Sequence, residues 1–346
     1  MTIGEQTIDW LYKDQLRIDD EWSIRTAKGF TWWADKHAQT VDVIGEEPGP
    51  DGDTGYLISV RTDFLRNLEL TPEAAVKINA LLMPFASMAG PVYDDRTRDL
   101  RLCSLVRVHR EIGPWMNRLI SVAAVLQIAE ARIMAPALAK ALNAQEAVSG
   151  HPQHGVRPMP DEMAEIVTTL IAPVGKEPCK WHPSEFQEAV DQYMQRPPSL
   201  LASSGGLGFT VEFPYGEDQS SLFRVKANQP HPRYGNGLFQ LQSFPVAGRT
   251  DAEGAMLALS LNAKELANKP WGYGFGSYAY RDGAIHFTSF FPNVVYKEGL
   301  LPNIYYAGAQ RALAISRILM NRDWDAASFS PRRSSTGRLL DRLKRE

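Results

Sequence analysis

Apolar and polar residues alternate along several short runs of this chain and recur at helical spacing along others. In "AQTVDVIGEE" (38–47), Val41 and Val43 share a face. In "GYLISVRTDFLR" (55–66), Tyr56, Ile58 and Val60 do the same, the period-two signature of strands. "EWSIRT" and "FTWWA", just upstream, read alike. Trp32 and Trp33 fall on opposite faces, so one of them must be partly exposed or lie beneath another element. "RTRDLRLCSLVRVHREIGPW" (96–115) sets Leu100, Leu102, Ser104, Val106 and Val108 on one face. The other face carries Arg101, Cys103, Leu105, Arg107 and His109. This is a strand with a drier and a wetter side, its arginines salt-paired and Cys103 a small buried filler.

Helical spacing comes next. "TPEAAVKINALLMPFA" (71–86) starts with Thr71 as N-cap and Pro72 in the first helical position. After the short strand "PVYDD" and the arginine-rich strand, "WMNRLISVAAVLQIAEARIM" (115–134) repeats Trp115, Leu119, Val122, Leu126, Ala129 and Ile133 along one seam. Pro136 is expected to disturb this helix. A short amphipathic helix, "TIDWLYKDQLR", opens the chain.

Residues 143–183 are rich in proline and turn formers, which makes them a connector around a possible helix at "DEMAEIVTTLI". The plan then recurs. "SEFQEAVDQYMQ" is a second amphipathic start, with Ser184 and Gln187 as a capping box. Strand-like "GLGFTVEFPYG", "SLFRVKAN" and "GLFQLQSFPVAG" lead to the helix "TDAEGAMLALSLNAKELA", which Thr250 and Glu253 cap. "WGYGFGSYAY" turns at Arg281-Asp282 into "GAIHFTSFFPNVVY", and "LPNIYYAGAQRALAISRILM" closes the unit. From capping threonine to hairpin arginine is 27 residues in the first half and 31 in the second. The expectation is an α+β duplication: domains at 1–142 and 184–325, the connector at 143–183, and a basic tail at 326–346. Each domain should hold an antiparallel sheet of about five strands packed with helices.

This element order resembles the superfamily of type III secretion chaperones and YbjN-like proteins, including its tandem bacterial TY-Chap members. The likeness is carried by "GYLISVRTDFLRNLELTPEAAVKINALLMPF" with "RDLRLCSLVRVHREI", and by "LFQLQSFPVAGRTDAEGAMLALSLN" with "RDGAIHFTSFF". The resemblance implies two tandem chaperone-like domains and a non-enzymatic role, holding a client polypeptide on apolar surfaces of a pseudo-two-fold pair. A small-ligand sensor or an enzyme with its site in the cleft between halves is the alternative.

Composition narrows the chemistry. A net charge of −3 argues against a nucleic-acid binder working through a global positive field. The longest uncharged apolar run, "LISVAAVLQIA", is too short for a membrane span, and the opening residues lack a signal-type apolar core. A cytoplasmic setting is therefore expected. Two cysteines suggest no disulfide framework. The tail after Ser330 carries six basic and two acidic residues and suits an acidic partner.

No catalytic residue or cofactor is assigned. "SSGGLGF" and "WGYGFGSY" are glycine-rich, but neither opens a helix as a phosphate cradle must. His151, His154, Cys179 and His182 form two pairs of zinc-ligand types. An expected helix separates the pairs, and proline-flanked histidines are common in loops, so no metal is assigned. Trp271, Tyr273 and Phe275 share a strand face and are the candidate protein-binding strip; filling the core against the last helix is the competing reading.

Overall fold

The computed structural model of the protein describes residues 1–49, 52–82, 87–166, 177–193, 207–214, 219–227 and 229–320. Among these it is a mixed α/β structure of seven α-helices and two antiparallel sheets. The first half runs α1 (Ile3–Trp10), β1 (Ser23–Arg25), β2 (Gly29–Trp32), β3 (Gln39–Pro48), β4 (Thr54–Arg66), α2 (Pro72–Leu82), β5 (Gly90–Asp94), β6 (Asp99–Val108) and α3 (Gly113–Leu142). β7 (Gln145–Glu146) and α4 (Glu162–Ile166) follow. The second half runs α5 (Pro183–Tyr193), β8 (Gly208–Pro214), β9 (Ser220–Lys226), β10 (Gly237–Pro245), α6 (Asp251–Ala267), β11 (Ser277–Arg281), β12 (Ala284–Pro292) and α7 (Leu300–Met320).

The seven-stranded sheet is ordered β1-β2-β3-β4-β6-β5, with β7 paired to the end of β4. The five-stranded sheet is ordered β8-β9-β10-β12-β11. Without β1 and β7 the first order is β2-β3-β4-β6-β5, strand for strand that of the second sheet. The duplicated plan is therefore present in topology as well as in element order. The basic tail, part of the expected helix at 161–171 and most of "SSGGLGF" lie outside the described residues.

Local chemistry accounts for most element ends. Thr71 Oγ1 accepts from Ala74 N–H at the start of α2, and Thr250 and Glu253 form the expected capping box on α6. At α5 the structure corrects the expected cap: His182 N–H donates to Glu185, and the helix begins at Pro183. The β11–β12 turn places Asp282 and Gly283 at φ of 52° and 74°, the twist a two-residue hairpin prefers. Pro136 does not end α3, which continues to Leu142. Its ring faces solvent, while Ala135, Leu138 and Ala139 on the other side are buried and hold the last turns in place.

In each half a buried glutamine amide ties the sheet to the closing helix. Gln39 Nε2 of β3 donates to Ala124 O of α3 at 2.8 Å, and Gln242 Nε2 of β10 donates to Gly308 O of α7 at 2.9 Å. Inside a low-dielectric core these bonds satisfy groups that would be costly to leave unpaired.

Among the described residues, two of the three apolar clusters draw on both halves, and only the one around Phe244, Leu261 and Phe287 belongs to the second half alone. The largest apolar cluster runs from Leu11, Trp32, Val60 and Leu126 through Trp181 to Phe223, Phe275, Phe291 and Ile304. α3 lies inside it. By length and composition this helix suffices to cross a membrane, yet 78 % of its apolar window is buried within the protein. Sharing the core also changes β6. Its central residues, Cys103 and Leu105 included, are buried on both faces, because the second half covers the side expected to be wetter. Leu105 N–H donates to Gly274 O at 3.3 Å across the seam.

Candidate functional site

In the strip Trp271–Tyr273–Phe275 the first two rings are half-buried and the third buried, which favours the competing core-filling reading over an exposed binding face. Phe275 is 1 % exposed and meets Phe291 edge-on. Tyr273 packs edge-on against Trp115 of α3 and donates its hydroxyl to Asn303 Oδ1 of α7 at 3.0 Å. Trp271 sits against Tyr278. The segment is not strand until Ser277. Its glycines allow backbone to press on backbone, and a Cβ on Gly274 would lie 2.1 Å from Leu105 O. Of the three, Tyr273 joins the halves, through Trp115.

The four metal-type residues are not brought together as a set. His151 and His154 stack with centroids 4.9 Å apart. Cys179 Sγ contacts Gly237 O at 3.6 Å, and His182 is an exposed residue at the start of α5. Among the described residues no group of three or more His, Cys, Asp or Glu side chains is placed to hold a metal ion.

What the histidines form instead is a turn used twice. In His151-Pro-Gln-His154-Gly155 the first and last residues exchange both backbone hydrogen bonds, and His151 Nδ1 accepts from Gln153 N–H. His231-Pro-Arg-Tyr234-Gly235 repeats each of these bonds, with Arg233 N–H on His231 Nδ1. Each final glycine has positive φ, 74° and 67°, and in each the fourth side chain stacks on the first. The shared H-P-x-aromatic-G pattern was visible in the sequence, but a reading of the histidines as ligands passes over it.

The first of these turns packs against two tryptophans of the first half. His151 packs edge-on against Trp33, whose indole N–H donates to Ser149 Oγ. Trp33 thus lies beneath the connector, one of the two outcomes its strand position allowed. Half-buried Trp22 meets His154 at 5.6 Å, and the Arg157 guanidinium sits 5.3 Å over the Trp22 ring. Arg157 also donates to Trp33 O and Met159 O and pairs with Asp161 at 3.2 Å. Next to Trp22 and Arg157 in the chain, Ile24, Val156 and Met159 are 39 %, 52 % and 72 % exposed. The framework holds a short, otherwise irregular segment in one shape and lets apolar side chains face solvent.

Other groups with reactive chemistry are tied up in the fold. Arg101 pairs with Asp63 and Asp99, and Arg107 with Glu47, as the wetter strand face predicted. Burial pushes the Cys103 thiol up to about 12. Buried Glu265 binds Arg311 at 2.7 Å and accepts from the Tyr278 hydroxyl, while the Arg311 guanidinium lies 3.6 Å over the Phe287 ring. On α3, Glu130 is buried and accepts from Ser87 Oγ at 2.5 Å and Tyr234 Oη at 2.9 Å. Burial raises its carboxyl to about 7. Comparison of the chain with protein-family models, with curated proteins and with solved structures finds no match.

Proposed function

We propose that this is a non-enzymatic, chaperone-like protein of the YbjN and type III secretion chaperone kind, which holds a client polypeptide on an apolar surface. The observation that carries the reading is the exposure of Ile24, Val156 and Met159, each within two residues of the Trp22–Arg157 contact, beside a turn in which His151 and His154 stack. Solvent-facing apolar side chains on a rigid base suit an extended apolar segment, whose burial there releases water at little ordering cost to the protein. A site in the cleft between halves has less in its favour. The polar groups described at the seam, Glu130, Ser87 and Tyr234, bond one another instead of converging on an opening.

The test compares wild type with an Ile24→Asp, Val156→Asp, Met159→Asp triple variant in suppressing aggregation of a chemically unfolded protein. All three positions are solvent-exposed, so the fold should survive. Loss of suppression in the variant supports the proposal. A wild type that suppresses nothing, or a variant that works as well as wild type, overturns it.

A further inference from the structure

Glu130 is a first-half carboxyl enclosed by the second half. It projects from the central helix α3 and is 2 % exposed. One of its oxygens, Oε1, takes two hydroxyl donors: Ser87, on the approach to β5, and Tyr234, from the turn between β9 and β10. Ser87 is itself pinned across the seam, because its carbonyl accepts from Phe290 N–H of β12 at 3.0 Å. Tyr234 stacks at 4.5 Å on His231, which lies 4.9 Å from Phe290. Arg233 is the charged group among the described residues that acts on Glu130 electrostatically. On α3 itself, Gln127 is bonded to Ser104, and Arg132 is paired with Glu165 and Asp35.

We infer that Glu130 is a proton-operated latch, neutral when the His231–Gly235 turn is closed on α3 and favouring release of that turn when it ionises. The reason is desolvation. A carboxylate shut away from water loses hydration that two hydroxyls and one nearby guanidinium replace only in part, whereas in an opened turn water restores it. The carboxyl's upward displacement to about 7 is consistent with this balance. The sign follows from linkage. A group that holds its proton more tightly when closed favours closure at low pH, and that advantage fades as pH rises from its ordinary value, about 4.3, through about 7. Between pH 6 and pH 8 the opening equilibrium of the turn should rise about tenfold. The inference does not rest on the client-binding reading.

Hydrogen exchange of the full chain, corrected for intrinsic rates, tests it on peptides spanning 229–237 and 125–132. Wild type should lose about tenfold protection from pH 6 to pH 8, and Glu130→Gln, which keeps the shape but cannot ionise, should lose none. His231 remains in that variant, so a pH response that survives there belongs to the histidine and overturns the proposal. Should Glu130→Gln fail to fold, Tyr234→Phe serves. Removing a donor that favours the ionised form must move the midpoint of the wild-type transition to higher pH, and an unmoved midpoint overturns the latch.

Discussion

Asn79 and Tyr280 are 201 residues apart, yet the Asn79 side chain pairs with the Tyr280 backbone as a neighbouring strand would. It donates to Tyr280 O at 2.7 Å and accepts from Tyr280 N–H at 2.7 Å. Asn262 of α6 treats Tyr278 in the same way, at 3.1 and 2.8 Å. β11 is an edge strand, and these two amides occupy the hydrogen-bonding groups that its free side would otherwise offer to another chain.

Asn79→Ala strips one clamp and leaves a part-buried N–H and C=O short of partners. Urea unfolding should show a loss of about 1–3 kcal/mol, with Asn262→Ala at least as costly because its site is more deeply buried. An unchanged midpoint would mean that water serves Tyr280 as well as the amide does.

Gly274→Ala sets a methyl 2.1 Å from the Leu105 carbonyl, a backbone atom that cannot swing aside. We expect a loss of about 1–3 kcal/mol from overpacking. Gly45→Ala is the control, since its new Cβ would meet Leu57 at an ordinary 3.6 Å. Equal thermal midpoints for the two variants would contradict the close seam.

Arg311 and Glu265 form an ion pair that is 1 % and 0 % exposed. Arg311→Met leaves a carboxylate buried without its cation and should cost about 3–5 kcal/mol. Arg311→Met with Glu265→Leu should recover much of that, because no unpaired charge is then enclosed. A double variant as unstable as the single would locate the loss in packing against Phe287.

Cys103 is buried and its thiol is raised to about 12, whereas Cys179 is half-buried with a smaller upward displacement, also caused by burial. At pH 8 the folded protein should take an alkylating label at Cys179 well before Cys103, and both should react in denaturant. Mass spectrometry of the peptides decides it; prompt labelling of Cys103 would show that β6 is accessible.

Features decided within a few residues were legible in the sequence. Thr71, Thr250 and Glu253 cap the helices they mark, and the order of elements repeats as its spacing implied; strand alternation also put Arg101 and Arg107 on a face where acids of the same sheet meet them. What escaped was decided by partners far along the chain. Alternation in β6 sets which way Leu105 points, but nothing local says that Gly274 will bridge to its backbone. Trp271, Tyr273 and Phe275 have the same pattern whether a client or the rings of Tyr278, Trp115 and Phe291 receive them. The surface around Trp22 needed a contact between residues 22 and 154, and the paired turns were hidden behind a more familiar use of histidine.

Placing α3 in an interior common to both sheets has a consequence for anyone dissecting the gene. A product ending near residue 183 would keep this helix but lose Phe223, Phe275, Phe291 and Ile304 from around it. Such a truncation would turn a core helix into a sticky one, apt to seek detergent, membrane or its own kind, and its behaviour would say little about the intact protein.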